Sequence, residues 1–161
     1  MGKPNKWITL VLLLVALVSI LPACAGSDAR LDMNRAQKIL RDNRNDINIV
    51  TDFLSELDYC NVYIRNDGEH MQADLVDIYI DDARVSEATK RLLDTYVNIN
   101  KIGNTIYLLQ VKGPDIGYGI AYSINGTDTP EVQFMTELAP LTEDGWFYYV
   151  SDYNTWRSNN T

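Results

Sequence analysis

Histidine and cysteine are nearly absent from the sequence, which has one histidine, His70, and two cysteines, Cys24 and Cys60, in 161 residues. A zinc site needs several His or Cys ligands, and one histidine with one thiol does not supply them. A Ser-His-Asp site would have to use His70, yet the sequence has no Gly-x-Ser-x-Gly motif. The sequence therefore predicts no metal centre and no cofactor, and it argues against a serine hydrolase of the usual type.

Positive charge is also scarce, with 14 Lys and Arg against 22 Asp and Glu. Two of these lysines, Lys3 and Lys6, lie in the first 23 residues, which contain no acid, so the remainder carries a formal charge of −10. Nucleic-acid binding needs clustered Lys and Arg that release counterions from phosphates, and anionic lipid attracts the same residues. No nucleic-acid partner is expected, and the excess of negative charge suits a soluble surface domain.

Long apolar runs are limited to one, over residues 8–21. Fourteen residues at about 1.5 Å per residue would cover about 21 Å as a helix, short of the ~30 Å hydrocarbon core of a bilayer. Lys3 and Lys6 precede the run. Charge followed by a short apolar run is typical of a signal peptide, so residues 1–23 are predicted to direct export.

The residues that follow the run, Leu21-Pro22-Ala23-Cys24, resemble the lipobox of bacterial lipoproteins. The resemblance covers the first 24 residues, and Pro22 departs from the usual pattern. It implies that the Cys24 thiol receives diacylglycerol, that the chain is cut before Cys24, and that lipid holds the protein on the extracytoplasmic face of the cell membrane. Ala23-Cys24-Ala25 also fits ordinary secretory cleavage, and an uncleaved anchor is a third alternative.

The rest of the chain has the length of one domain. The predicted organisation is a signal peptide over 1–23, a lipidated cysteine and short tether over 24–31, a single α+β domain over 32–156, and a polar tail over 157–161. Cys60 has no intramolecular partner if Cys24 is acylated or removed. Because Cys60 alternates with Val62 and Ile64, it is predicted to be a buried, inert thiol.

Two helices and about five to six strands are predicted from hydrophobic periodicity. One long amphipathic helix is expected over 33–57, with a charged face that is either solvated or set against lipid headgroups. A second helix is expected after Asp82, which can cap it. Strands are expected around residues 60–64, 76–80, 105–111, 117–124, 132–138 and 146–150, with the first two joined as a hairpin at Asn66-Asp67-Gly68. The result is an antiparallel or mixed sheet with both helices packed on one face.

The strand over 117–124 has one face of small residues, Gly117, Gly119, Ala121 and Ser123. Such a face lets another element approach closely; a helix and a ligand are the two alternatives. The run Gly117-Tyr-Gly-Ile-Ala-Tyr-Ser-Ile-Asn-Gly126, with Asp144-Gly-Trp-Phe-Tyr-Tyr149, resembles small uncharacterised proteins of Gram-positive bacteria. That resemblance spans residues 115–150 and implies no function.

Aromatic residues concentrate near the C-terminus, where Trp146, Tyr148, Tyr153 and Trp156 form a possible binding surface. Alternation places Trp146 and Tyr148 on one side of the last strand and Phe147 and Tyr149 on the other. Only one side needs to be buried under the helices, so the other is either a recognition patch or is covered by the tail.

Acidic residues supply no catalytic or metal pattern of their own. Asp77 and Asp81 share a strand face but lie about 13 Å apart along it, which is too far for a retaining glycosidase pair. Residues 125–129 lack the full pattern of a calcium loop.

The predicted function is therefore a non-catalytic binding module for an envelope protein or glycan. An accessory subunit of a membrane assembly is the alternative, and a hydrolase with an unrecognised site is the second alternative.

Overall fold

The computed structural model describes residues 33–126 and 128–160. The predicted signal peptide, Cys24 and the tether lie outside these residues. The described helices are α1 (Met33–Asp42), α2 (Arg44–Glu56), α3 (Ala83–Leu93) and α4 (Tyr153–Asn160). The strands are β1 (Asn61–Ile64), β2 (His70–Ala73), β3 (Val76–Tyr79), β4 (Asn98–Ile102), β5 (Thr105–Gly113), β6 (Ile116–Ser123), β7 (Met135–Pro140) and β8 (Trp146–Asp152).

The eight strands form one sheet in the order β3-β2-β1-β4-β5-β6-β8-β7, and every pairing is antiparallel. Helices α1, α2 and α3 share one buried cluster with one face of this sheet. Leu40, Leu54 and Leu92 enter the cluster from the helices, and Ile99 and Ile106 enter it from the sheet. We call this the helix face and the opposite side the outer face.

The predicted α+β class is confirmed, but the predicted numbers of strands and helices are too low, since the described residues contain eight strands and four helices. The sequence did not predict β2, because Asp74 and Leu75 form the turn between β2 and β3 and no glycine or proline marks that turn. Both have positive φ, 43° and 77°, although neither is glycine. The predicted hairpin partner was also wrong, because β1 pairs with β2, and β3 pairs with β2 rather than with β1.

Strand β4 was missed because its sequence, Asn-Ile-Asn-Lys-Ile, is rich in residues that strands disfavour. Tertiary pairing overrides that preference, since β4 lies between β1 and β5 at the centre of the sheet. The predicted strand over 132–138 begins later, at Met135. Phe134 has φ of 57°, which no strand residue adopts.

The predicted long helix is divided at Asn43, where α1 ends and α2 begins. The predicted cap of the second helix is confirmed, because the Asp82 side chain accepts hydrogen bonds from the backbone N–H groups of Arg84 and Val85. The predicted polar tail is helical over residues 157–160, which belong to α4.

The prediction that Cys60 is buried was wrong, because Cys60 is exposed. Strand β1 begins one residue later, at Asn61, so Cys60 lies in the exposed connection after α2. Its backbone is nevertheless held: the Cys60 N–H donates to Asp74 Oδ2 at 3.2 Å, and its carbonyl accepts from the Gly103 N–H at 2.7 Å.

Candidate functional site

The outer face of the sheet carries a groove of about 550 Å³. Its floor comes from alternate residues of the central strands, and one wall comes from residues 131–134. Side chains that line it include Asn98, Asn100, Ile102, Tyr107, Leu109, Val111, Phe134, Tyr149, Ser151 and Tyr153. The groove therefore lies on the side of the sheet that the helices leave uncovered.

Close packing of strands β5, β6 and β8 builds one end of the groove. Gly119 lies opposite Leu109 in β5 and opposite Tyr149 in β8. A Cβ atom at Gly119 would lie 2.0 Å from the carbonyl oxygen of Leu108, so no side chain fits there. The small face of β6 thus receives side chains from neighbouring strands, and the predicted helix does not cover it. Its alternative, a ligand, stays a prediction.

Two tyrosines fill this end of the outer face. Tyr107 and Tyr149 are 6% and 2% exposed and form a second buried cluster with Ala121. Their rings meet edge to face, with centroids 5.8 Å apart. Burial raises the pKa of both phenols above the usual value.

The wall over residues 131–134 is fixed by three hydrogen bonds to the strands beneath it. The Tyr107 hydroxyl donates to the Glu131 carbonyl at 2.8 Å, and the Ser151 hydroxyl donates to the Gln133 carbonyl at 2.5 Å. The Asp152 N–H donates to the Phe134 carbonyl at 3.0 Å. The loop is therefore held in place beside the groove by both β5 and β8.

Helix α4 supports the same wall. The Asp152 carboxylate accepts from the Thr155 N–H at 3.0 Å and from the Thr155 hydroxyl at 2.8 Å, which caps the start of the helix. The Phe134 ring then contacts Tyr153 and Trp156, with centroids 5.0 and 5.1 Å away. We call Phe134, Tyr153 and Trp156 the aromatic trio, of which Phe134 and Tyr153 line the groove.

The four aromatic residues predicted as a binding surface do not lie together. Trp146 and Tyr148 are 6% and 2% exposed and belong to the core on the helix face. Tyr153 and Trp156 are each 37% exposed and lie beside Phe134. A surface of all four is therefore wrong, because alternation along β8 sends Trp146 and Tyr148 under the helices; a binding role for Tyr153 and Trp156 stays a prediction. Of the four, Tyr153 lines the groove.

Several groove residues escaped the sequence analysis. Asn98 and Asn100 were missed with β4, and Phe134 was assigned to a strand. The alternation of Tyr107, Leu109 and Val111 in residues 105–111 was the one available signal, since it places all three on one face.

Polar groups in the groove include both donors and acceptors of hydrogen bonds, because its lining has amide and hydroxyl side chains as well as carboxylates. The side-chain oxygen of Asn98 is buried and has no hydrogen-bond partner within the described part of the chain. Glu131 and Asp115 contribute carboxylates, and the described lining residues include no Lys or Arg. Asp115 accepts from Asn154 Nδ2 at 3.2 Å. The described lining of the groove therefore combines two carboxylates with several neutral polar groups.

His70 lies outside the groove, at the start of strand β2. Its Nδ1 is 2.9 Å from Asp67 Oδ2, and its ring contacts Tyr79. The backbone N–H groups of Glu69 and His70 donate to Asp67 and lower the pKa of its carboxyl to about 2. The His70–Asp67 pair thus closes the turn between β1 and β2, which is a structural role.

Acidic residues elsewhere are engaged locally. Asp77 pairs with Arg65 at 2.8 Å, and Asp128 accepts from Asn125 at 3.4 Å. Among residues 33–126 and 128–160, no group of three or more His, Cys, Asp or Glu is placed to hold a metal ion.

The chain matches no protein-family model, no curated protein and no solved structure. Within the described range, no helix has both the length and the apolar character needed to cross a membrane.

Proposed function

We propose that this protein is an exported lipoprotein, anchored through lipid on Cys24, whose domain is a non-catalytic binding module. The groove on the outer face is its binding site, and the ligand is a protein or a glycan of the cell envelope. The anchor places the domain at the extracytoplasmic side of the membrane, close to such ligands.

The groove carries this proposal. It combines an apolar floor, from Leu109 and Val111, with a few polar groups at fixed positions, which is the usual composition of a ligand site. The Tyr107 and Ser151 hydroxyls are already used to hold the wall. A prepared groove of this kind binds with little reorganisation, because the strands and the wall are ordered before the ligand arrives.

A groove-filling variant tests the binding site. A Cβ atom at Gly113, which lines the groove, would meet nothing within 4 Å. Gly113→Trp should therefore fill the groove without disturbing the fold. Asn48→Trp, at an exposed position of α2 on the other side of the sheet, adds the same ring elsewhere. We expect Gly113→Trp to lower co-sedimentation with isolated cell walls, or complex formation with a purified envelope protein, at least tenfold relative to Asn48→Trp. Equal binding by the two variants would exclude the groove.

The anchor is tested separately. Cys24→Ala should abolish incorporation of an alkyne fatty acid and should prevent cleavage before residue 24, because the thiol is the acceptor for lipid. Equal labelling of the wild type and the variant would contradict the lipoprotein assignment, while leaving the groove proposal intact.

An accessory subunit of a membrane assembly is the second candidate, and the edge strand β3 favours it. Leu75, Val76 and Tyr79 are 88%, 59% and 55% exposed on this edge. The other edge strand, β7, carries a bulge and ends at Pro140, features that prevent strand pairing. Val76→Lys should disrupt a stoichiometric complex in detergent-solubilised membranes if β3 pairs with a partner. An unchanged complex would count against this candidate.

A further inference from the structure

We infer that helix α1 docks on anionic lipid headgroups and thereby turns the groove away from the membrane. This inference rests on the proposed function, since it requires the lipid on Cys24 to hold the domain at a bilayer. It is carried by the concentration of basic residues on α1, by the way α1 packs on the sheet, and by the length of chain between α1 and Cys24.

Positive charge is concentrated at the start of the described chain. Residues 33–44 contain four Lys or Arg and one acid, a formal charge of +3. Residues 45–161 contain seven Lys or Arg and 19 Asp or Glu, a formal charge of −12. An anionic surface attracts the first of these segments and repels the second. The charge distribution therefore favours one orientation of the domain above such a surface, although the net charge is negative.

The basic residues of α1 lie on its exposed side. Arg35, Lys38 and Arg41 are exposed and are spaced by three along the helix, so they share one side of it. Ala36 and Leu40, on the other side, are buried in the cluster of the helix face. Because α1 packs on the side of the sheet opposite the groove, its basic side is directed away from the groove. A bilayer against α1 thus leaves the groove accessible.

The one acid of α1 lies beside Lys38. Asp42 and Lys38 form an ion pair one helical turn apart, and their side chains are 55% and 67% exposed. Exposed pairs of this kind are weak, so Lys38 can exchange this partner for a lipid phosphate. Asp42 then opposes docking, which provides a variant of opposite sign for the test.

Two further acids close to the end of α1 are paired. Asp46, in the first turn of α2, accepts two hydrogen bonds of 2.8 Å from Arg91. Glu143 pairs with Arg44. These carboxylates therefore weigh little against the basic side of α1. Arg44 is engaged by its own partner, so the docking surface consists of the three cations of α1.

The chain between the anchor and α1 is short. Met33 lies nine residues after Cys24, and nine residues span at most about 30 Å when fully extended. Such a tether raises the effective concentration of α1 at the bilayer. Each basic residue near an anionic surface is worth about fivefold in affinity. Three of them are therefore sufficient to orient a tethered domain, which they would hold only weakly by themselves.

The experiment measures which side of the domain meets the bilayer. The lipidated protein, with Cys60→Ser, carries a neutral dye either on Asn34→Cys, at the exposed side of α1, or on Ile102→Cys, at the outer face. It is reconstituted into vesicles of phosphatidylcholine with about one third phosphatidylglycerol. Some of the phosphatidylcholine has a nitroxide on its headgroup, which quenches a dye at short range. We expect the dye at residue 34 to be quenched about threefold more strongly than the dye at residue 102.

Charge variants provide the matched controls. Lys38→Gln with Arg41→Gln should remove the difference in quenching, and glutamine preserves the helix because its helix propensity is similar. Vesicles of phosphatidylcholine alone should remove it too, as should about 1 M salt, which screens charges beyond about 3 Å. Arg65→Gln with Arg157→Gln makes the same change in net charge outside α1 and should leave the difference intact. Asp42→Asn should increase it.

Equal quenching at the two positions, in protein that carries lipid on Cys24, would overturn the inference and leave the anchor and the groove intact. A difference that persists in phosphatidylcholine alone, or after replacement of Lys38 and Arg41, would also overturn it, because charge would then not be the cause. Absence of lipid on Cys24 would instead remove the anchor of the proposed function, and this orientation with it.

Discussion

The domain contains two successive units of the same topology. Helix α2 is followed by the antiparallel strands β1, β2 and β3, and helix α3 is followed by β4, β5 and β6. Strands β1 and β4 are neighbours, so the order β3-β2-β1-β4-β5-β6 runs outward in the same way from the centre of the sheet. We call these units the first half and the second half. No repeat is visible in their sequences.

The halves differ most on the outer face. Each strand of the first half has 4 residues, whereas those of the second half have 5, 9 and 8. Tyr63 and Tyr79 on the first half are 38% and 55% exposed, while Tyr107 on the second half is 6% exposed. The helix face, by contrast, is buried in both halves.

The cause is the chain that follows β6. Strand β8 pairs with β6, the wall over 131–134 is bonded to β5 and β8, and α4 supports the wall. Nothing equivalent follows β3, because only residues 80–82 separate it from α3. The same topology therefore gives an open edge in the first half and a groove in the second half. The difference comes from the chain after β6, which supplies β8, the wall and α4.

The largest expected effect tests whether the halves share one core. Leu54 in α2 and Leu92 in α3 are both fully buried. Leu54→Ala and Leu92→Ala should each lower the free energy of unfolding by about 2–5 kcal/mol, as core truncations do. Urea unfolding followed by circular dichroism should show one transition for both. Two transitions in either variant would mean that the halves fold independently.

The close packing in the second half is tested at Gly119. Gly119→Ala places a methyl group against the Leu108 carbonyl oxygen, so the strands must shift, and we expect a loss of about 1–3 kcal/mol. Gly113→Ala, where a Cβ has open space, should change the free energy of unfolding by less than about 0.5 kcal/mol. Equal losses would contradict the assigned packing of β6 against β5.

Exposed aromatic residues distinguish the covered half from the open half. Trp156→Ala removes a ring that packs on Phe134 and should cost about 1–2 kcal/mol. Tyr79→Ala, on the open edge, should cost less than about 0.5 kcal/mol. Denaturant melts of the two variants measure the difference. A loss near 4 kcal/mol for Trp156→Ala would make that residue a structural cover and end its assignment to a recognition surface.

The two central helices differ in how they begin. Asp82 caps α3 with two hydrogen bonds, so Asp82→Ala should cost about 1 kcal/mol. Asn43 makes no side-chain cap bond to α2; its Nδ2 donates instead to the Ile39 carbonyl of α1 at 3.0 Å, so Asn43→Ala should cost about 0.5 kcal/mol, the lower end for one hydrogen bond. Thermal melts would check both values, and a larger loss for Asn43→Ala would reverse this ranking.

The smallest effect concerns the β1–β2 turn of the first half. The pKa of the Asp67 carboxyl is lowered from 3.8 to about 2 by the N–H groups of Glu69 and His70. A depressed pKa adds stability above the unfolded value, and that contribution is lost as pH falls from about 4 toward 2. Asp67→Asn should flatten the pH dependence of unfolding in this window. An unchanged pH profile would show that the backbone hydrogen bonds of the turn do not lower the pKa of the Asp67 carboxyl.

Prediction from the sequence succeeded where a local pattern carried the information. The Asp82 cap, the strands over 105–111, 117–124 and 146–150, and the opposite placement of Tyr148 and Tyr149 all follow from periods of two or from a single capping residue. It failed at β2, because the turn that follows this strand lacks glycine. It also failed at β4, because this strand is rich in asparagine. Both strands are stabilised by pairing with β1, which no local pattern reports.

The sequence by itself determined the α+β class, because hydrophobic periodicity is a local property of the chain; the signal peptide and the anchor stay predictions. The tertiary structure decided which aromatic residues remain accessible, that Cys60 is exposed, and that Asn98, Tyr107 and Phe134 share a groove. These residues come from three separate segments, and only the pairing of β4 with β5 and of β6 with β8 brings the segments together. Contacts between distant segments depend on the whole sheet, and for that reason the groove had no signature in the sequence.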